Sequence, residues 1–238
     1  MSQKIDLDQI QLKLYEKLGP SGWGNKLKSF IMSQDFKHIL EVLLKESESG
    51  LHFTPKLNQL FRCFTECPYS ELKVCVLGLD PYPSANQADG IAFSCSNTMK
   101  PAASLRYILK EVADTVYPGK EYEWNPDLKR WSNQGILMLN TALTTRVGSI
   151  GAHIDLWRPF MTFLFDMLEN NNNGLVYAYL GRGAQEWAPM VSDDRNWKLF
   201  ARHPASASYN NEVCWDSGNL FIKVQHLVQQ NFKYTITW

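Results

Sequence analysis

Four short apolar runs, at 72–77, 136–139, 175–180 and 197–201, recur along the chain with stretches of helical periodicity between them. Runs of four to six residues are too short for buried helices, and their Val, Ile, Leu and aromatic content marks them as strands. Strands separated by helical segments need crossover connections rather than tight turns, which makes the sheet parallel and covers both of its faces. The sequence therefore predicts an α/β fold in one domain spanning 1–238. Its centre is a four-stranded parallel sheet flanked by helices on both faces, with a helical N-terminal part over 1–50.

The helical segments follow from apolar spacings of three and four. One is expected over 6–18, and a longer one over 25–46 carries Phe30, Ile31, Phe36, Ile39 and Leu40 on one side. A third opens at Pro101-Ala102-Ala103-Ser104, lines up Leu105, Ile108, Leu109 and Val112, and stops before Pro118-Gly119. Asp155 is expected to N-cap a helix bearing Leu156, Phe160 and Leu164, another helix is expected to begin at Gly183, and a last one covers 217–230.

Composition narrows the function classes. Lys and Arg (24) balance Asp and Glu (24), so no global basic field announces a nucleic-acid partner, although a local groove stays compatible with one. The start of the chain lacks an apolar leader with a cleavage site, and no apolar run reaches membrane-spanning length. These features fit a soluble, intracellular monomer of cytoplasm or nucleus, with no membrane partner. Five cysteines, Cys63, Cys67, Cys75, Cys95 and Cys214, form an odd set without a C-x-x-C pair. Cys63 and Cys67 would share a helix face and could hold a metal with a third ligand, but buried free thiols in a reducing compartment are the better reading.

The polar residues fall where the predicted strands end. Asp80, Asn140, Gly181-Arg182 and His203 each lie just past the carboxyl end of a run, the rim at which open parallel sheets place their ligands. Singly, an Asp there caps a helix, an Asn forms a turn and a His-Pro makes a loop. Together they put a carboxylate, an amide and an imidazole at one crevice, with Phe93 near as an aromatic platform, which suits recognition of a flat polar ring.

At these residues the chain resembles the family 1 uracil-DNA glycosylases. Their first motif, Gly-Gln-Asp-Pro-Tyr-His, stands here as Gly78-Leu79-Asp80-Pro81-Tyr82-Pro83. The resemblance continues through Gln87-Ala88-Asp89-Gly90-Ile91-Ala92-Phe93-Ser94, Ser104-Leu105-Arg106, 131–141 and His203-Pro204, and spans roughly 57–230 in order. It implies base excision from DNA without metal or redox cofactor. Asp80 and His203 would be catalytic: the carboxylate would favour the cationic sugar and orient water, and a neutral imidazole would donate to uracil O2. Phe93 would stack on the base, Asn140 would read its N3–H and O4 edge, and Tyr82 would exclude a methyl at C5, with Leu79 and Gln87 also in the substrate site. Small-residue loops would carry DNA phosphates: Pro101 and Ser104, Gly181 and Arg182, then Ser206, Ala207 and Ser208. His153 would be a solvated histidine or one placed near DNA.

The departures from the motifs have consequences. Leu79 and Pro83 replace a Gln and a His, so one polar contact is lost at each. The last motif, usually His-Pro-Ser-Pro-Leu-Ser, reads His203-Pro204-Ala205-Ser206-Ala207-Ser208, which puts Ala207 where the family has a leucine wedge. Tyr209 is the nearest large side chain that could serve instead. Pro after Tyr82 is similar to the poxvirus branch of the family, and it raises an alternative: a replication or processivity scaffold of the same fold with secondary or lost catalysis. The partners implied are uracil-containing DNA, single- or double-stranded, and a proteinaceous glycosylase inhibitor or replication protein.

Overall fold

The computed structural model describes residues 6–210 and 212–238. Helices α1 (Leu7–Lys17), α2 (Trp23–Ile31) and α3 (Gln34–Glu48) lead into a two-residue strand β1 (Phe53–Thr54) and a single turn, α4 (Arg62–Thr65). Then come β2 (Val74–Gly78), α5 (Ala103–Thr115), the single turn α6 (Lys129–Ser132), β3 (Ile136–Asn140), β4 (Thr145–Arg146) and α7 (Ile154–Asn171). The chain closes with β5 (Val176–Leu180), the turn α8 (Arg182–Gln185), β6 (Trp197–Ala201), the turn α9 (Ser206–Tyr209) and α10 (Leu220–Phe232).

The central sheet has the order β3-β2-β5-β6, every pair parallel. Strands β2, β3 and β5 are buried nearly throughout, as a doubly covered sheet requires. Tyr177 and Tyr179 alternate onto one face of β5, where Phe165 of α7 stacks on Tyr177, while α10 packs on β5 and β6. The register pairs Gly78 with Asn140 and Leu180 with Ala201. Asp80, Asn140, Gly181 and His203 consequently emerge at one end of the sheet.

Several boundaries differ from expectation, each for a local reason. The helix expected over 25–46 is two helices. Ser33 adopts extended backbone and accepts a hydrogen bond from Phe36 N–H at 3.3 Å, capping α3, and the Gln11 carboxamide donates to Ile31 O at 2.6 Å across the break. Asp155 is not the N-cap of α7: it lies inside the first turn, and its carboxylate is exposed and 3.6 Å from Arg158. The helix expected from Gly183 is one turn, and the last helix starts at Leu220 rather than at 217. The antiparallel ribbon of β1 with β4, Phe53 opposite Arg146, had no signal in so short a run. It ties the N-terminal part to the segment that follows Asn140.

Candidate active site

A cavity of about 310 Å³ opens at the carboxyl end of the sheet, and Leu79, Asp80, Tyr82, Phe93, Asn140 and His203 line it. Each arrives by a different strand exit. Gly78 ends β2 and lies against two of these groups, since a Cβ there would stand 2.6 Å from Asn140 Oδ1 and 3.0 Å from Phe93 Cζ. Asp80, two residues on, is half-buried, and its Oδ2 accepts a hydrogen bond from Gly151 N–H at 2.6 Å. Burial raises its pKa above the ordinary carboxylate value, while the Gly151 amide, the Thr145 hydroxyl and the His153 imidazole act in the opposite direction.

Phe93 sits in the left-handed region at φ +64°, an uncommon conformation for a bulky side chain that the surrounding loop has to enforce. The enforcement comes from Asp89, fully buried, which accepts hydrogen bonds from Ile91 N–H at 3.1 Å, Ser94 Oγ at 2.6 Å and Ser96 N–H at 2.8 Å. Arg62 neutralises it at 2.8 Å. Ala92 N–H adds a bond to Met138 O, so the loop is hung from β3. The Tyr82 hydroxyl donates to Phe93 O at 2.9 Å, which fixes the tyrosine ring against the wall, and burial pushes its phenol well above the usual value.

His203 follows β6 and accepts a hydrogen bond at Nδ1 from Ala205 N–H, 3.2 Å away. An acceptor at Nδ1 is unprotonated, so the ring proton resides on Nε2. Burial lowers the pKa of this imidazole, which keeps the ring neutral. Gly181 makes room for it: at φ +95° a Cβ would lie 2.8 Å from His203 Cβ. The His203 and Phe93 rings stand 5.9 Å apart at 43°. Among the described residues the Asn140 carboxamide has no hydrogen-bond partner, which leaves a donor and an acceptor facing the cavity.

Not every expected residue reaches this cavity. Ser104 and Tyr209 line it; Gln87, Pro101, Arg182, Ser206 and Ser208 do not. Ala207, expected in the wedge position, is fully buried, because the single turn of α9 rotates it inward beneath Pro204 O. Tyr209, 81% exposed, is the large side chain this loop offers to solvent. His153 is neither solvated nor at the surface: it is 2% exposed and bonded on both ring nitrogens. The cavity also takes Leu60, Ala88 and Ile150, which sequence reasoning missed. Ile150 is 69% exposed between two glycines of positive φ, Gly148 and Gly151, and an exposed isoleucine in a glycine-rich loop was the signal available for it. Cys63 and Cys67 are buried thiols, with burial pushing Cys67 up to about 12. Among the described residues no set of His, Cys, Asp and Glu is arranged to hold a metal, and no helix is long and apolar enough to cross a membrane.

A carboxylate, a neutral imidazole, an aromatic ring and an amide without a hydrogen-bond partner thus line one cavity at the carboxyl end of the sheet. The sequence profile of the uracil DNA glycosylase superfamily matches residues 64–226. Human uracil-DNA glycosylase is 31% identical over 247 residues, covering 98% of this chain and 77% of the human protein. The Streptococcus pyogenes (strain NZ131) enzyme is 32% identical over 187 residues, covering 78% of this chain and 84% of its own length. In fold, the crystal structure of mimivirus uracil-DNA glycosylase superposes with a TM-score of 0.82 at 24% identity, over 99% of this chain and 90% of that one. A variant of mimivirus UNG solved in complex with UGI superposes at 0.81, again at 24% identity, over 91% of this chain and 87% of that one. The chain belongs to the uracil-DNA glycosylase family, hydrolases of N-glycosyl bonds that act in base excision repair of DNA.

Proposed function

We propose that Asp80 and His203 are the catalytic pair of this glycosylase and that Tyr82, Phe93 and Asn140 read the base. A uracil inside duplex DNA is out of reach until its nucleotide rotates into a pocket. In the cavity the ring lies on Phe93. The Asn140 carboxamide accepts from N3–H and donates to O4, whereas cytosine, with the opposite pattern, would leave buried groups unpaired. Tyr82 occupies the space a C5 methyl would need, and its hydroxyl bond to Phe93 O keeps it from swinging aside.

Cleavage of the C1′–N1 bond moves its electron pair onto the uracil ring and leaves an oxocarbenium-like sugar. His203 donates its Nε2 proton as a hydrogen bond to O2, where negative charge develops; a neutral donor does this without binding the anion irreversibly. Asp80 faces the sugar, lowers the energy of the cation and orients the water that adds to C1′, after which the water's proton is released and an abasic site remains. The observation that carries this assignment is the Ala205 N–H bond to His203 Nδ1, because it leaves the ring proton on Nε2 of a residue that lines the cavity. Leu79 adds an apolar wall leaning on Gly183. Pro101, Ser104, Gly181, Arg182, Ser206 and Ser208 stay assigned to DNA phosphates, with Tyr209 at the mouth as the wedge. A proteinaceous inhibitor is the further partner proposed, by analogy with the UGI complex of the mimivirus protein.

The test is Asp80→Asn, which preserves shape and removes charge. Turnover on a uracil-containing oligonucleotide is expected to fall by about two to three orders of magnitude while binding is kept. In the wild type, activity should be lost as pH falls, since Asp80 must be ionised and His203 neutral. Burial holds the Asp80 carboxyl above its ordinary range and His203 below its own, so the acid limb lies at higher pH than the titration of a free aspartate. An Asp80→Asn enzyme with near wild-type turnover would refute the assignment.

A further inference from the structure

A buried histidine that the catalytic scheme leaves unused, His153, is tied to a glutamate 107 residues earlier in the sequence. His153 Nε2 stands 2.9 Å from Glu46 Oε2, and its Nδ1 stands 2.9 Å from Thr144 Oγ1. The second Glu46 oxygen takes the Arg146 guanidinium. Trp157 Nε1–H donates to Thr144 Oγ1 at 2.8 Å, so the hydroxyl proton of Thr144 is free to point at Nδ1. A carboxylate can only accept, which places the His153 proton on Nε2. Both His153 nitrogens, both Glu46 oxygens and the Thr144 hydroxyl are thereby engaged within the cluster.

The cluster sits directly behind Asp80. His153 ends the loop that begins after β4, and two residues before it Gly151 gives Asp80 its 2.6 Å hydrogen bond. The rest of that loop is held from several sides: Val147 N–H by His52 O, Gly148 N–H by Pro83 O, and Ser149 O by the Thr145 hydroxyl at 2.7 Å. The Thr145 hydroxyl proton is thus committed to Ser149 O, and the Gly151 amide is the firm donor to Asp80. Its position depends on where His153 is anchored, and the anchor is on α3.

We infer that Glu46 and His153 are positioning residues for the hydrolysis: through them helix α3 sets the Gly151 amide against the catalytic carboxylate. The inference rests on the assignment of Asp80 as that carboxylate. It gives the N-terminal helices a part in the chemistry, although the family profile begins only at residue 64. The base-reading residues sit on other loops, and the link therefore acts on the chemical step rather than on uracil binding.

The groups that face Asp80 are the Gly151 amide, the Thr145 hydroxyl and His153, with Glu46 and Arg146 behind His153 and His203 across the cavity. Glu46 is itself burdened by burial, yet the Arg146 and His153 bonds hold it below the usual carboxylate range, so it stays charged while the enzyme works. When the strut is removed, Asp80 loses the contact that favours its charged form, and burial dominates.

The experiment compares Glu46→Gln with wild type in the full chain, using a uracil-containing oligonucleotide and following kcat, KM and the pH profile of kcat, with circular dichroism to verify folding. Expected are a kcat about tenfold lower, a KM within twofold, and an acid limb moved to higher pH. In an Asp80→Asn background the same change should cost nothing further, because the two act through one group. Glu46→Asp, which keeps the charge and shortens the reach, should fall between and stands in if Glu46→Gln does not fold. A folded variant with unchanged kcat and an unmoved limb, or one whose loss adds fully to that of Asp80→Asn, overturns the inference. Failure of Asp80→Asn itself to lose activity would instead refute the catalytic assignment, which keeps the two failures apart.

Discussion

Gly78 has no side chain because two others occupy the space: a Cβ would lie 2.6 Å from the Asn140 amide oxygen and 3.0 Å from the Phe93 ring. Neither neighbour can yield cheaply. Phe93 is held in a left-handed conformation by the Asp89 hydrogen bonds, and Asn140 is the last residue of a buried strand in register with Gly78 itself. Gly78→Ala therefore pushes the amide and the aromatic floor into the volume meant for uracil. The strand ends here in ordinary backbone, so the fold should survive. The expected outcome is a kcat/KM lowered by about a hundredfold, with most of the loss in KM and a cooperative thermal transition like that of the wild type. Steady-state kinetics with a melting curve on the same preparation checks it; an unchanged KM would mean that the pocket floor is not where the geometry puts it.

At the scale of elements, the apolar runs were legible because a doubly covered sheet leaves little choice of residue, and all four became strands within two residues of where the sequence placed them. Asp80, Asn140 and His203 were legible for the same reason: a strand's end locates the residue after it. What was hidden came from contacts between distant segments. Nothing local at Glu46 announces a partner 107 residues away, and nothing at Gly151 announces Asp80. The break at Ser33 was hidden because apolar spacing continues through it, while the cap works by one hydroxyl. The α9 turn shows the limit of alignment by motif. Ala207 matches the leucine position in order but is buried in fact, so enlarging it to Leu overpacks the site at a cost of about 1–3 kcal/mol and gives DNA nothing. Tyr209 is the exposed ring at the end of that turn, on the cavity rim. Stacking a ring on a base is worth about 1–3 kcal/mol, and only a duplex has a gap to be held open. Tyr209→Ala should accordingly slow uracil release from double-stranded oligonucleotides about tenfold, with a clearly smaller effect on matched single strands. Equal effects on both would remove Tyr209 from the wedge role.

At the scale of the whole molecule, the N-terminal helices share their core with the rest. Phe36 packs on Phe61 and Trp157, Phe30 packs on Phe160, and Trp23 packs on Phe64 while its indole N–H donates to Cys67 O at 2.6 Å. The resemblance to known family motifs covers only 57–230, which invites the view that a catalytic unit could be cut free there. The packing argues against it. Deleting residues 1–50 would strip cover from Phe61, Phe64, Trp157 and Phe160, all at most 1% exposed, and each large apolar side chain is worth about 1.5–3 kcal/mol. That loss is comparable to the whole stability of a typical domain, about 5–15 kcal/mol, before the missing Glu46 is considered. A fragment of 51–238 should therefore fail to give a cooperative melting transition and should bind a hydrophobic dye at room temperature. The helical part and the sheet are one folding unit on this argument, and a fragment that melted cooperatively and released uracil would show both the shared core and the Glu46 strut to be dispensable.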